Sequence, residues 1–253
     1  MNIPAGTFTP HPQRAPAARM ALAQGAIESK LLLRHGEQLL LNIVIPAVML
    51  VIGATVPVLG EDPNLDHIVP MVFAVAASSS GFTGQAIALA FDRRYGALKR
   101  TGASGVPAST IIVGKILGVL STVAVQILVL SVIALLLGWR VDPDEAAAGL
   151  VALLFGVAAF TSLGLLMGGS QSSELVLALA NLLWLVLMGV LGWVAYSGDI
   201  TAAGWWNLAP SVALAAAMAQ AFDLTFAPAT WASLLAWTVV GIAAASRWFR
   251  FDG

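Results

Sequence analysis

The chain has no cysteine, only three histidines and two tyrosines, and few charges: 10% of its 253 residues are Asp, Glu, Lys or Arg. Without cysteine, disulfides, iron–sulfur clusters and thiolate chemistry are excluded. The histidines stand at 11, 35 and 67 with no ligand spacing between them, which speaks against a zinc site. Soluble domains carry about 25% charged residues. A chain with 59% hydrophobic residues and a mean hydropathy of +0.89 cannot meet water over its whole surface. The formal net charge of −1 hides a strong asymmetry along the chain and offers no surplus of cations for nucleic acid.

What is present in quantity is uncharged apolar sequence. Seven such intervals run over 39–59, 68–91, 116–139, 146–173, 175–198, 200–222 and 224–246. Each exceeds the ~20 residues that cross a bilayer core. The sixth, ITAAGWWNLAPSVALAAAMAQAF, carries Thr201, Asn207, Ser211 and Gln220 and has Pro210 in its middle. Only Val212–Ala219 is continuously apolar there, which is too short to span.

Charge placement sets the parity. Arg14, Arg19, Lys30 and Arg34 precede the first interval and put the N-terminus in the cytoplasm. Six spans then bring Arg93, Arg94, Lys99, Arg100, Lys115, Arg247 and Arg250 inside, leaving Arg140 outside. The acids Glu61, Asp62, Asp66, Asp142, Asp144, Glu145, Asp199 and Asp223 fall outside. The expectation is an all-α integral membrane protein with both termini cytoplasmic. A single domain over 39–247 holds spans at about 39–59, 68–91, 108–139, 146–169, 175–197 and 225–246. Between the fifth and sixth spans, 200–222 reads as a re-entrant external pair of short helices broken near Pro210, with Trp205 and Trp206 at the interface. Residues 1–16 read as a disordered tail with no signal peptide evident, 17–38 as a cytoplasmic interfacial helix, and 248–253 as a cytoplasmic tail. On that first helix Arg19, Lys30 and Arg34 share one side, and Leu22, Ala26 and Leu33 another. A plain basic flank that fixes topology is the alternative reading. Pro46 is expected to kink the first span.

Five of the twelve basic residues lie in FDRRYGALKRTGASGVPASTIIVGK, residues 91 to 115. Read as a helix from Asp92, this run puts Tyr95, Leu98 and Gly102 on one face, then stops at Gly102, Gly105 and Pro107 and restarts with Ser109 in the first turn. A short helix with an aromatic–aliphatic knob, hung between two spans, suits a groove on a soluble partner.

These residues resemble the permeases of the ABC-2 type, the daunorubicin-resistance-like exporter subunits. That family carries an acidic–basic–acidic–x–Gly–x–Leu–x–basic run here, followed by Pro-x-Ser and Gly-Lys. The chain has Asp92, Arg93, Arg94, Gly96, Leu98, Arg100, Pro107, Ser109, Gly114 and Lys115 in those places, with Arg94 where a second acid is frequent and no leucines over Thr101–Val106. The six-span layout, the Pro-broken element before the last span and the basic tail RWFRF are similar as well. The resemblance implies a coupling helix that docks on a separate ATPase, with Asp92, Arg93, Arg94, Tyr95, Gly96, Leu98, Lys99, Arg100, Pro107, Ser109, Gly114 and Lys115 as the coupling residues. It also implies two ATPase subunits carrying ATP and Mg, and a second permease copy or paralogue. The chain itself lacks a phosphate loop: Gly114-Lys115 would need Gly at 109 and Ser or Thr at 116, where Ser109 and Ile116 stand.

The uncharged intervals contain no ionisable group, which argues against ion coupling through a buried carboxylate. Ser78, Ser79, Ser80, Thr83 and Gln85 mark the second span, Gln126 the third and Asn181 the fifth. In the resembling family the second and fifth spans line the path, which makes Ser78, Gln85 and Asn181 candidates for cargo contact; Trp184 and Trp193 are candidates for contact with a lipophilic cargo, with packing against lipid as the alternative. Bonds to neighbouring helices explain the polar ones equally well. Gly114–Gly118 and Gly164–Gly168 are spaced for close helix packing. The expected function is export of a hydrophobic or amphipathic cargo (drug, lipid or lipid-linked molecule) across a bacterial plasma membrane. The alternatives are an integral membrane lipid- or prenyl-modifying enzyme and a non-transporting anchor. The enzyme needs paired carboxylates for magnesium at the cytoplasmic face, where Asp92 and Glu174 stand alone.

Overall fold

Prolines and caps written into the sequence mark where the long helices begin. Pro143 takes the first turn behind Asp142, and Asp142 and Glu145 cap each other's backbone in a capping box, the backbone N–H of Asp142 donating to Glu145 Oε2 at 2.9 Å. That accounts for two of the acids expected outside. Pro210 and Pro228 open two later helices in the same way. The structure, a computed structural model, describes residues 15–34, 36–57 and 64–249. Residues 1–14 of the expected tail, the end of the first expected span at 58–59, the acids Glu61 and Asp62, and residues 250–253 with Arg250 lie outside the described residues.

The described chain is helical, without a strand. In order it forms α1 (Ala17–Arg34), α2 (Gly36–Thr55), α3 (Leu65–Ser78), a π-helical segment (Ser79–Gly84), α4 (Gln85–Arg94), α5 (Ala97–Ala103), α6 (Ala108–Leu136), α7 (Pro143–Ser170), α8 (Ser173–Ser197), two 3₁₀ turns (Ile200–Ala202 and Gly204–Leu208), α9 (Pro210–Phe222) and α10 (Pro228–Trp248). Among the described residues, five helices are long and apolar enough to cross a membrane: Leu65–Arg94 taken as one, α6, α7, α8 and α10. The apolar part of α2, Asn42–Thr55, and α9 are shorter. The described residues therefore carry five such helices where the sequence reading expects six spans, the first of the six being the one in question.

α1 does not rest on the bundle by the side that its leucines suggest. Gln24, Gly25 and Glu28 face α6, and Leu22, Ile27 and Leu31 stay exposed. The cause is backbone proximity. A Cβ at Gly118 would lie 2.6 Å from Glu28 Cβ, one at Gly25 would lie 2.8 Å from Leu117 Cβ, and one at Gly114 would strike Gln24. Contacts 24/114 and 28/118 ascend together, so α1 and α6 run side by side in the same direction.

The second long helix widens where SSSG is followed by Gly84. The π turn lays backbone oxygens against α7: a Cβ at Gly164 would stand 2.8 Å from the Gly81 carbonyl oxygen and also meet that of Phe82. Small residues on both sides make this approach possible. α9 fills the middle of the bundle; every residue from Pro210 to Ala221 is buried, and Leu214 seats against Gly156 of α7. Gln220 ties it to both flanks, its Nε2 donating to the Thr201 carbonyl at 2.8 Å and to Thr230 Oγ1 at 3.2 Å. At one end Trp139 packs edge-on against Phe222 (5.4 Å) and Phe73 (6.1 Å). Asp199 caps the first 3₁₀ turn; the Thr201 hydroxyl and then its backbone N–H hold the carboxyl below its usual range.

Gly118→Leu is expected to expel α1 and lower the thermal midpoint of the purified protein by several degrees, since overpacking costs about 1–3 kcal/mol. Gly189→Leu, on a helix face with no atom near it, is the control and leaves the midpoint unchanged.

Candidate functional site

The basic run is built around two left-handed glycines. α4 ends at Arg94, Tyr95 turns out of it, and Gly96 adopts φ 71°, a conformation that a side chain resists. After α5, Gly105 at φ 80° reverses the chain into Pro107, whose carbonyl accepts from the Thr110 and Ile111 N–H groups and starts α6. The helix expected from Asp92 is thus two pieces with a joint at Gly96, and Tyr95 and Leu98 do not share a face. Tyr95 is 70% exposed and stacks on Phe91 at 6.0 Å, whereas Leu98 is 4% exposed. Leu98 is not the outward knob that the sequence suggests. It packs with Leu89, Ile111, Ile112, Leu165 and Ala245 and anchors α5 to the bundle. Lys99, Arg100 and Ser109 remain exposed.

The three charges at the end of α4 point to three different places. Arg93 is buried, and its Nη1 donates to the Gly168 carbonyl at 2.9 Å and the Gln171 carbonyl at 2.7 Å, the last acceptors of α7. These carbonyls lack partners in their own helix and carry the negative end of its dipole, so a guanidinium there is well placed. Arg94 meets Glu174 at 2.9 Å and Ser173 at 3.2 Å, at the start of α8. Both members of the Arg94–Glu174 pair are at least half exposed, so it is worth little, about 0–1 kcal/mol. Asp92 turns the other way and accepts from Lys115 Nζ at 3.0 Å.

Lys115 lies two turns into α6 and is almost wholly enclosed. Its Nζ donates to Asp92 and also to Glu28 of α1, 3.0 Å from Oε1 and 3.1 Å from Oε2. Gln24 Nε2 steadies Glu28 with a bond to Oε1 at 2.9 Å. Gly114 and Gly118 flank the lysine and admit the α1 backbone. The uncharged third interval starts only after Lys115; the helix that contains it starts seven residues before Lys115, so the ammonium and the Glu28 carboxylate sit inside the packed bundle, with the Asp92 carboxylate at its edge. Glu28 was not legible as a site residue, although a lysine between two glycines spaced four apart signals a close helix carrying a counter-charge.

The candidates for cargo contact are not assembled in one place. Ser78 and Trp184 do meet: the indole Nε1 donates to Ser78 Oγ at 3.3 Å, and Ser78 donates to the Val75 carbonyl at 2.8 Å. Gln85 looks away from α8, into a small recess shared with Leu32, Asn42, Ser80 and Thr122. Beside it Ser80 Oγ donates to Gln126 Oε1 at 3.1 Å, and Gln126 Nε2 donates to the Asn42 carbonyl, so these polar groups satisfy neighbouring helices. Asn181 is exposed and bonds back to the Leu177 carbonyl of its own helix. No cluster of His, Asp and Glu among the described residues has metal-binding geometry.

Leu98→Asp is expected to lower the thermal midpoint and the yield from membranes, because a carboxylate would replace a buried anchor. Lys99→Glu, on the exposed side of the same helix, leaves both unchanged. A melt of the detergent-purified variants checks this, and an unaltered midpoint for Leu98→Asp would contradict the packing described.

The run of Asp92 to Lys115 joined to an all-helical, multi-pass bundle is also what comparison with known families brings out. A search of curated proteins gives no match. The profile of the family described as ABC-2 type transporter matches residues 25–226, from within α1 to beyond α9. The chain belongs to the ABC-2 type transporter family, whose members are membrane permease components of ABC transporters.

Proposed function

We propose that the chain is the membrane subunit of an ATP-driven exporter that moves a hydrophobic or amphipathic cargo, a drug, lipid or lipid-linked molecule, across a bacterial plasma membrane. The observation that carries this reading is the exposed strip of Tyr95, Lys99 and Arg100 at the start of a short helix, directly after a last turn of α4 that is bonded to α6, α7 and α8. A push on that strip reaches three other helices within three residues, and α1 through Lys115. Two separate ATPase subunits supply ATP and Mg, since the chain has no phosphate loop of its own, and a second permease copy or paralogue completes the assembly. Of the twelve coupling residues, Tyr95, Lys99, Arg100 and Ser109 form the docking surface. Arg94 borders it. Gly96 and Pro107 shape it, while Asp92, Arg93, Leu98, Gly114 and Lys115 hold it to the membrane domain.

Six spans with both termini cytoplasmic fit this reading. The 20 residues of α2 rise about 30 Å at 1.5 Å each, enough for a bilayer core. Gly53 near its end meets Ile68 at the start of α3, as in a hairpin across a membrane. Its outer face, with Leu40, Ile45, Val48 and Ile52, is apolar and exposed. Asp142, Asp144, Glu145, Asp199 and Asp223 border the far ends, and the 3₁₀ turns with α9 form the re-entrant element between α8 and α10. The free side of α1, where Leu22, Ile27 and Leu31 flank Arg19, Lys30 and Arg34, faces lipid and its headgroups as the chain climbs along α6. Trp184, held by the buried Ser78 where the second span meets α8, borders the path of the cargo.

The test is a pull-down of the tagged chain from membranes. A soluble ATPase is expected in stoichiometric amount, and Tyr95→Glu with Lys99→Glu is expected to lose it while the permease still folds. Retention of the ATPase by that double variant would refute the docking surface. Trp184→Phe is expected to change the rank order of cargoes in a vesicle transport assay by a few-fold; an unaltered order across a cargo panel would return Trp184 to a packing role.

A further inference from the structure

The two halves of the Lys115 cluster differ in a way that the docking surface alone does not require. Two carboxylates share one ammonium, and they are unequally enclosed: the side chain of Glu28 is 12% exposed, that of Asp92 41%, and that of Lys115 3%. Glu28 is further held by Gln24 and by the glycine contacts that clamp α1 on α6. Asp92 has water at hand. If Asp92 leaves, a neutral pair of Glu28 and Lys115 remains buried, and the freed carboxylate is hydrated. If Glu28 were to leave, its carboxylate would stay enclosed without a counter-charge, which is far costlier. The cluster therefore opens at one place only. That place is the last turn of α4, where Asp92 stands three residues before Tyr95 and four before the left-handed joint at Gly96.

We propose that Glu28, Lys115 and Asp92 form a one-sided ion lock, in which Glu28–Lys115 permanently fixes α1 to α6 and Asp92–Lys115 opens and closes to release or hold the end of the second long helix together with α5. This rests on the exporter reading. Lys115 and Asp92 are then positioning residues for transport, and α1 is the fixed reference against which the docking helix moves. In the closed state Asp92 faces α6 while Arg93 grips the end of α7, so the turn between them bridges the two helices. Opening the Asp92 arm lets that turn follow α7 without tearing α1 away.

The test compares Asp92→Asn, Asp92→Glu and Glu28→Gln in the complete complex and in the permease alone, both in lipid nanodiscs. In the complex, Asp92→Asn is expected to raise cargo-free ATP hydrolysis by about three- to tenfold, the range open to the loss of one partly exposed charge-assisted hydrogen bond. Stimulation by cargo falls correspondingly, and Asp92→Glu restores both. In the permease alone, hydrogen exchange over residues 92–106 is expected to quicken in Asp92→Asn while α1 and α6 stay protected; Glu28→Gln instead loosens α1. Equal loss of protection over α1, α4 and α6 in both variants, with an unchanged ratio of stimulated to cargo-free hydrolysis, would overturn the lock and leave a structural strut. Should the wild-type chain retain no ATPase, the exporter reading falls, and the exchange pattern still decides between lock and strut.

Discussion

An ammonium enclosed two turns inside a membrane helix is the constraint around which one end of this molecule is arranged. Lys115 cannot sit there unpaired: breaking a buried ion pair by removing one partner typically costs about 3–5 kcal/mol. A carboxylate must be carried to it by another backbone, and the carrier is α1. That requirement fixes much else. Glu28 reaches Lys115 only if α1 and α6 touch, and they touch because positions 25, 114 and 118 lack side chains. With α1 in that register, the following helix passes close enough to α6 for the Asn42 carbonyl to accept from Gln126. The placement of the first two helices thus descends from one lysine and three glycines, not from the amphipathicity of α1.

A comparison of magnitudes shows which of the neighbouring charges matter. Arg94 and Glu174 form the pair most easily noticed on the surface, yet solvent screens both partners and little stability follows. Arg93, one residue earlier, is nearly invisible from outside, and it satisfies two terminal carbonyls of α7 in a site with little water. α7 is in turn the helix against which the π segment, α4, α9 and α10 all pack, through Gly156, Gly164, Gly168 and, from α10, Gly241 against Ser162. Consecutive residues of the same basic run therefore differ widely in energetic weight.

The sequence was most informative where a single physical rule dominated. Apolar length and the placement of charges mark out α3–α4, α6, α7, α8 and α10, and the polar residues with Pro210 in the middle already argue that 200–222 does not span. The spacing of Gly114–Gly118 and Gly164–Gly168 announces close packing, and it occurs. Reading failed where two elements distant in sequence define a property jointly. A helix drawn from Asp92 by periodicity treats Tyr95 and Leu98 as one face, but the left-handed turn at Gly96 comes between them and Leu98 is claimed by Leu89 and Leu165. The π segment leaves no periodic signature beyond its small residues. Glu28 looks like one acid in a basic helix until α6 is laid beside it, and Gln85 and Ser78, seven apart in one helix, turn to different neighbours once the helix widens between them.

The packing also limits where a cargo can travel. A conduit through the middle of this bundle would have to displace α9, and from Pro210 to Ala221 that helix is buried on every side. It is rich in alanine, its Leu214 fills the space left by Gly156, and its Gln220 is bonded to two flanking segments. Dense interiors of this kind do not open by small adjustments. The face of α8 is different. Its outer side is unburied and apolar, with Leu182, Leu185, Val186 and Trp193 exposed, while Val176, Ala180, Leu191 and Val194 are buried and Trp184 turns to Ser78. Under the exporter reading the cargo therefore moves along the outside of the single bundle, where a second copy can supply the opposite wall. One permease is then half of a path, and the motion that matters is of one bundle against another. A docking helix fixed at its base to several spans, and not hung loosely between two, is what such rigid-body motion requires.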